Sequence, residues 1–156
     1  MTRTFSDTAH TETPLARVRD LMTPAPLAIS PETSVQEASR LMQEQRLGHL
    51  PVCEDGRLVG LLNECDLQLV LPSPATSLAA HEVYYLLERL TVAEIMTRLP
   101  VTIGPDYPVT EAASRMLAHK VQALPVTENR RLVGLLTRTH LLYAFVRSRP
   151  AQPMAA

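Results

Sequence analysis

The chain is short of several things. No run of apolar residues approaches the eighteen or more that a membrane-spanning helix needs, so no such span is expected. Charge of either sign is in little excess: 15 Lys and Arg against 16 Asp and Glu leave a formal net charge of −1. That balance gives no general attraction to nucleic acid or to an anionic membrane. There are only two cysteines, Cys53 and Cys65, among 156 residues. Two thiols in a chain of this size read as reduced cysteines in a cytosolic protein, not as a disulfide framework. The opening residues 1–7 lack the apolar segment of a secretory signal, and cytoplasm is the expected address. No glycine-rich phosphate loop of the Walker type is present. The five histidines show no metal-ligand spacing with either cysteine, and no Ser/His/Asp or Cys/His arrangement can be assembled. A catalyst is therefore not expected.

What the chain does have is a copy of itself. Arg57-Leu58-Val59-Gly60-Leu61-Leu62 recurs unchanged as Arg131-Leu132-Val133-Gly134-Leu135-Leu136. A shift of 74 residues aligns 18–67 with 92–141 without a gap, and 21 of those 50 positions are identical. Unrelated sequence would give about three or four, so the chain is an internal duplication. Residues 1–13 and 148–156 read as mobile tails, 14–71 as the first repeat, 72–76 as a linker and 77–147 as the second repeat with a leading helix.

Within each repeat the pattern alternates between helix and strand. Around 14–22, Leu15, Val18, Leu21 and Met22 share a helical face, and Thr23-Pro24-Ala25-Pro26 ends it. A short strand is expected over 27–30. Ser34-Val35-Gln36-Glu37 has the form of a capping box, and Val35, Ala38, Leu41 and Met42 follow at helical spacing. The second copy keeps that stripe as Val109, Ala112, Ala113, Met116 and Leu117. Residues 49–53 and 57–62 read as a hairpin around Asp55-Gly56, the second strand apolar enough to be covered on both faces. Asn63 opens a further helix to about Leu71. Residues 77–90, with Leu78, Val83, Leu86, Leu87 and Leu90, form an amphipathic helix corresponding to the short helix before the first repeat. The order per repeat is strand, helix, strand, strand, helix: an α+β chain. The methionines at matching positions, Met22, Met42, Met96 and Met116, favour core packing.

Gly60 and Gly134 interrupt bulky strands, which marks a bulge or a close approach to the backbone. Each strand then hands over to a helix start, at Asn63-Glu64-Cys65-Asp66 and at Thr137-Arg138-Thr139-His140. Such a junction suits an anion. The same residues also read simply as N-caps with a first-turn partner.

The combination of Met22-Thr23, Leu50-Pro51-Val52 and 59–66, repeated as Met96-Thr97, Leu124-Pro125-Val126 and 133–140, resembles the CBS domain. The stretches 71–76 and 84–87 are similar to stand-alone bacterial CBS proteins of the acetoin-utilisation type. The resemblance implies two tandem repeats packed with pseudo-two-fold symmetry as one Bateman module. It further implies a homodimer, a cleft for an adenine nucleotide or other adenosyl compound, no required cofactor, and a regulated protein partner of unknown identity. The apolar faces Val35/Ala38/Leu41/Met42 and Val109/Ala112/Met116 are expected to contribute the dimer contact.

By the same resemblance Asp66 holds ribose hydroxyls and Thr137 contacts phosphate, with backbone near Leu50-Pro51 flanking the base and Leu124 and Pro125 as the matching positions of the second repeat. Thr102 is the early-strand hydroxyl that lines a cleft; its counterpart is Ala28, beside Ile29. The repeats depart from the motif differently: Asn63 stands at the hydroxyl position of the first, and His140 at the carboxylate position of the second. Arg138 and a protonated His140 are expected to join Thr137 on a phosphate, with binding that strengthens as pH falls. Loss of ligand binding, leaving a homodimeric scaffold, is the competing expectation.

Overall fold

The computed structural model describes residues 16–71 and 80–148. The expected linker 72–76, Leu78 and the expected tails (Ser148 apart) lie outside the described residues. Among the described residues seven helices and six strands follow one another in two rounds: α1 (Val18–Leu21), β1 (Thr23–Pro24), α2 (Val35–Gln45), β2 (His49–Glu54), β3 (Arg57–Asn63) and α3 (Glu64–Val70), then α4 (Ala80–Arg89), α5 (Val92–Ile95), β4 (Thr97–Arg98), α6 (Val109–His119), β5 (Ala123–Glu128), β6 (Arg131–Thr137) and α7 (Arg138–Ser148).

The hairpins are built as their turn residues demand. Asp55 and Gly56 both take positive φ, 52° and 76°, as the two central residues of a tight hairpin should. Asn129 and Arg130 reproduce the turn at 51° and 65° without a glycine. In each hairpin one valine is left unpaired: Val52 faces Gly60 but Cys53 faces Leu58, and Val126 faces Gly134 but Thr127 faces Leu132. The bulge falls on Val59 and Val133. The strand expected over 27–30 narrows to a single parallel bridge between Ile29 and Val52, matched by Ile103 and Val126.

Thr23-Pro24 is more than a helix stop. It pairs with Leu135 and Gly134 of the other repeat, and Thr97-Arg98 pairs with Leu61 and Gly60 in return. The helices before these strands cross over as well. Val18 N–H donates to the Tyr107 carbonyl at 2.9 Å and Val92 N–H to the Thr33 carbonyl at 2.8 Å. Val109 N–H reaches back to Ala16 and Val35 N–H to Leu90. Val18 is therefore buried in a core with Ile103, Ala112, Met116, Leu124, Val126 and Leu136. Leu87 and Val92 are buried with Ile29, Val35, Ala38, Met42, Leu50, Val52, Leu62 and Leu67. Each core is completed by a helix that precedes the other repeat, so the sequence repeat and the packing unit are different stretches of chain. The counterpart of α1 is α5; α4 is an additional helix, with Leu87 buried and Leu86 exposed.

The glycines explain themselves at the crossing. A Cβ on Gly60 would collide with the Met96 thioether, and one on Gly134 with that of Met22. The group that approaches the backbone is a methionine from the exchanged segment. Helix α2 begins with half of the expected capping box: the Ser34 hydroxyl accepts from Glu37 N–H at 3.1 Å, while the Glu37 carboxylate pairs with Arg40. Helices α2 and α6 each end in a left-handed residue, Arg46 at φ 53° and Lys120 at 56°, whose successors donate back to Met42 and Met116.

The stripes expected to contribute a dimer contact lie mostly inside the cores. Val35, Ala38, Met42, Ala112 and Met116 are buried inside their own cores, so they cannot supply a dimer contact. Leu117, read as part of the stripe, is 80% exposed. Exposed apolar side chains cluster instead on α7, at Leu142, Tyr143, Phe145 and Val146.

Candidate functional site

Where the exchanged strands meet the ends of β3 and β6, two hollows open on either side of the pseudo-two-fold relation. The first, about 410 Å³, is lined by Asn63, Glu64 and Cys65, by Thr97, Leu99, Pro100 and Val101, and by residues 120–123 with Gly48, His49 and Leu61. The second, about 440 Å³, is lined by Thr137, Arg138, Thr139, His140 and Tyr143, by Thr23, Pro26 and Leu27, and by residues 46–49 with Gln122 and Leu135. Under the 74-residue shift the linings correspond almost residue for residue. Both volumes fall in the range of small-molecule clefts. Leu61, Leu135 and Ala123 form a small separate cluster between them. Gly48, His49 and Gln122 line both hollows.

Each junction is held by a reciprocal cap. In the first, Asn63 N–H donates to Asp66 Oδ2 at 2.9 Å while Asp66 N–H donates to Asn63 Oδ1 at 2.9 Å. One carboxylate oxygen of Asp66 is thereby committed to the helix start. In the second, Thr137 N–H donates to His140 Nδ1 at 3.0 Å and His140 N–H to Thr137 Oγ1 at 3.4 Å. The imidazole does the job of the carboxylate. Because Nδ1 accepts, the neutral ring carries its proton on Nε2, which lies 3.4 Å from Thr23 Oγ1 of the exchanged strand.

Burial lowers the pKa of His140, and protonation would also forfeit its role as acceptor for Thr137 N–H. The expected tightening of anion binding through a protonated His140 is thus opposed by the fold itself. His49 is likewise lowered by burial, although the nearby carboxylates of Asp66 and Glu64 pull it the other way. It stands at the start of β2, half-buried.

The structure brings Thr137, Arg138 and His140 together on the second hollow and places Asn63 on the first. It does not bring the others to either lining. Asp66 sits half-buried behind Asn63. Ile29, Leu50, Pro51, Leu124 and Pro125 are buried in the two cores, where the Pro51 and Pro125 carbonyls accept from Ile29 and Ile103. Thr102 is half-buried, and its carbonyl accepts from Arg115 at 2.9 Å. Side-chain recognition by the five core residues would need the cores to open. Sequence reasoning also missed Thr23, Thr97, Pro100, Arg46, Lys120, Gln122 and Tyr143 as lining residues. A usable signal existed: Met-Thr-x-x-Pro recurs at 22–26 and 96–100, and a basic residue recurs at 46 and 120.

A family model for the CBS domain matches residues 18–73 and again 92–147. The chain belongs to the CBS domain family. Its two CBS repeats carry helices and antiparallel strands in the arrangement of solved CBS pairs. The CBS domain pair of protein MJ0100, in complex with 5′-methylthioadenosine and S-adenosyl-L-methionine, superposes with a TM-score of 0.73 at 25% identity, covering 87% of this chain and 100% of that one. CBSX2 in complex with AMP superposes with a TM-score of 0.69 at 29% identity, covering 84% and 96%. The inosine-5′-monophosphate dehydrogenase of Korarchaeum cryptofilum (strain OPF8) is 35% identical over 129 residues. That match takes in 81% of this chain and 22% of the enzyme, so the CBS pair spans about a fifth of that relative. Among the described residues no helix is long and apolar enough to cross a membrane, and no cluster of His, Cys, Asp and Glu could hold a metal ion.

Proposed function

We propose that this CBS pair is a non-catalytic regulatory module that binds an adenosine-containing ligand in the clefts between its repeats and works as an energy or metabolite sensor. The observation that carries the reading is the pair of matched clefts, each walled by one repeat's strand-to-helix junction and the other repeat's exchanged strand. A ligand there would touch both halves and so bias how they pack. That is the physical requirement for a sensor, since a ligand shifts an equilibrium only by its differential contacts with the two states. The solved pairs that hold AMP, 5′-methylthioadenosine and S-adenosyl-L-methionine give the chemical class.

The module acts as a cytoplasmic homodimer in this reading, and the exposed apolar residues of α7 are the surface it would cover. In solution a species of about 35 kDa is expected, twice the 17.3 kDa chain. Sedimentation at micromolar concentration that gives the monomer would remove the dimer from the proposal.

A scaffold that has lost ligand binding is favoured by one specific feature: the residues at both ribose-binding positions, Asp66 and His140, are engaged as helix caps. Thermal unfolding with AMP, ADP, ATP, S-adenosylmethionine and cyclic dinucleotides separates the two readings. A ligand of the native state at a hundred times its dissociation constant adds about 2.7 kcal/mol and raises the midpoint. A midpoint unmoved by every compound at millimolar concentration would leave the scaffold.

A further inference from the structure

The two clefts share a shape but not a charge. On the second, two arginines, Arg46 and Arg138, are among the lining residues, and no Asp or Glu lines it. Among the described residues neither arginine has an ion-pair partner, unlike Arg17, Arg19, Arg40 and Arg115 but like Arg57, Arg98, Arg130, Arg131 and Arg147. On the first, Lys120 is offset by Glu64, and Asp66 stands behind Asn63. Arg98, which follows the lining residue Thr97, is turned away to the Ala93 carbonyl at 2.9 Å.

The difference arises at equivalent positions. Glu64 corresponds to Arg138 and Asp66 to His140, while Arg46 and Lys120 keep the same sign. The field reaches the seam: His49, which lines both clefts, feels the carboxylates of Asp66 and Glu64. The lowering at His140 comes from burial. A guanidinium free of partners, on a cleft without carboxylates, suits a phosphate, which it can engage with paired charge-assisted hydrogen bonds. A cleft whose one ammonium is offset by carboxylates has no such preference, and it tolerates a neutral or positively charged group.

Resting on the reading of both clefts as adenosyl sites, we propose that they sort ligands by charge. The second takes an adenosyl compound bearing a phosphate, and the first takes one that is uncharged or cationic, such as a nucleoside or a sulfonium. The module would then compare two ligands of one family and report on their ratio.

The chain contains no tryptophan, so one introduced tryptophan reports one cleft. Tyr143 and Leu99 are exposed lining residues, one on each cleft, and Tyr143→Trp and Leu99→Trp supply the reporters. Each is titrated with adenosine and with AMP, and calorimetry on the unsubstituted chain checks that the reporters preserve affinity. At the Tyr143→Trp reporter AMP should bind about tenfold or more tightly than adenosine, with the advantage shrinking as salt screens it. At the Leu99→Trp reporter AMP should have no advantage. The charge exchange Glu64→Arg with Arg138→Glu should move the advantage to the first cleft. An equal AMP advantage at both reporters, or none at the second while both compounds bind, would overturn the sorting and leave the nucleotide reading intact. No binding of either compound at either reporter would overturn that reading and the sorting with it.

Discussion

At the end of β3 an amide and a carboxylate, Asn63 and Asp66, cap α3; at the end of β6 a hydroxyl and an imidazole, Thr137 and His140, cap α7. The backbone problem is the same in both repeats, because a helix start leaves amide N–H groups without partners. Either pair of side chains solves it. What changes is the face turned to the cleft. The first junction presents an amide and the Glu64 carboxylate, and the second presents a hydroxyl, a neutral ring and Arg138. Equivalent positions in the two halves thus keep their structural task while their chemistry toward a ligand diverges. The comparison also explains why a motif read for ligand contacts is incomplete in both halves yet folds in both.

The largest test of that comparison asks whether the halves are separable at all. Leu50 and Leu124 are equivalent, fully buried and on different cores. Replacing either by Ala should cost about 2–5 kcal/mol, the usual range for a buried leucine. Because each core holds a helix from the other half, both variants should still unfold in one cooperative transition by circular dichroism. Two resolved transitions would show that the exchange does not couple the cores.

A smaller effect is expected at the crossing. Gly60→Ala and Gly134→Ala should each destabilise by about 1–3 kcal/mol through overpacking against Met96 and Met22. In a Met96→Ala or Met22→Ala background the added methyl has room, and the penalty should largely vanish. Denaturant midpoints of the four single and two double variants measure this coupling. Strict additivity would contradict the close approach.

The caps come next. Asp66→Ala and His140→Ala each remove the third-position partner of a cap, and each should lose about 0.5–1.5 kcal/mol, the net worth of a hydrogen bond. Only the second junction should bring pH dependence from an imidazole. The folded-state pKa of His140 is lowered, so the unfolded chain takes up the proton first as pH falls below about 6.5. Its contribution is complete above that value and is lost as pH drops toward the lower folded-state pKa. His49 contributes with the same sign, so the comparison is between wild type and His140→Asn across pH 5 to 8. A smaller loss of stability on acidification in the variant is expected, and identical curves would remove His140 from the cap.

The smallest effect concerns the hairpins. Arg130 holds φ 65° where the first repeat has Gly56, and a left-handed backbone is unfavourable for a residue with a side chain. Arg130→Gly should stabilise by about 0.5 kcal/mol, read as a small rise in the unfolding midpoint; a fall would show that the arginine side chain holds the turn.

Much of the fold was legible because its signals are local and occur twice. Asp55-Gly56 marked a hairpin, Ser34 a helix start, and the identical 57–62 and 131–136 a pair of covered strands. The exchange of α1 and α5 was not legible, since Thr23-Pro24 and Thr97-Arg98 are too short to carry a strand pattern and find their partners in the other half. The site was read less well for a related reason. Motif residues such as Leu50 and Pro125 are hydrophobic parts of β2 and β5, and nothing in their sequence neighbourhood separates core from cleft. Thr137, Arg138 and His140 were found because a strand-to-helix junction is a local feature. Thr23, Arg46 and Gln122 reach the same cleft from three separate segments.

The claim that these clefts hold an adenosyl ligand meets its most direct test in a calorimetric titration of wild type with AMP, repeated on Arg46→Gln/Arg138→Gln. Saturable binding is predicted for wild type, weakened about tenfold or more in the double variant as charge-assisted contacts to phosphate are lost. No heat from AMP, adenosine or S-adenosylmethionine at millimolar concentration, with the protein folded by circular dichroism, would contradict it.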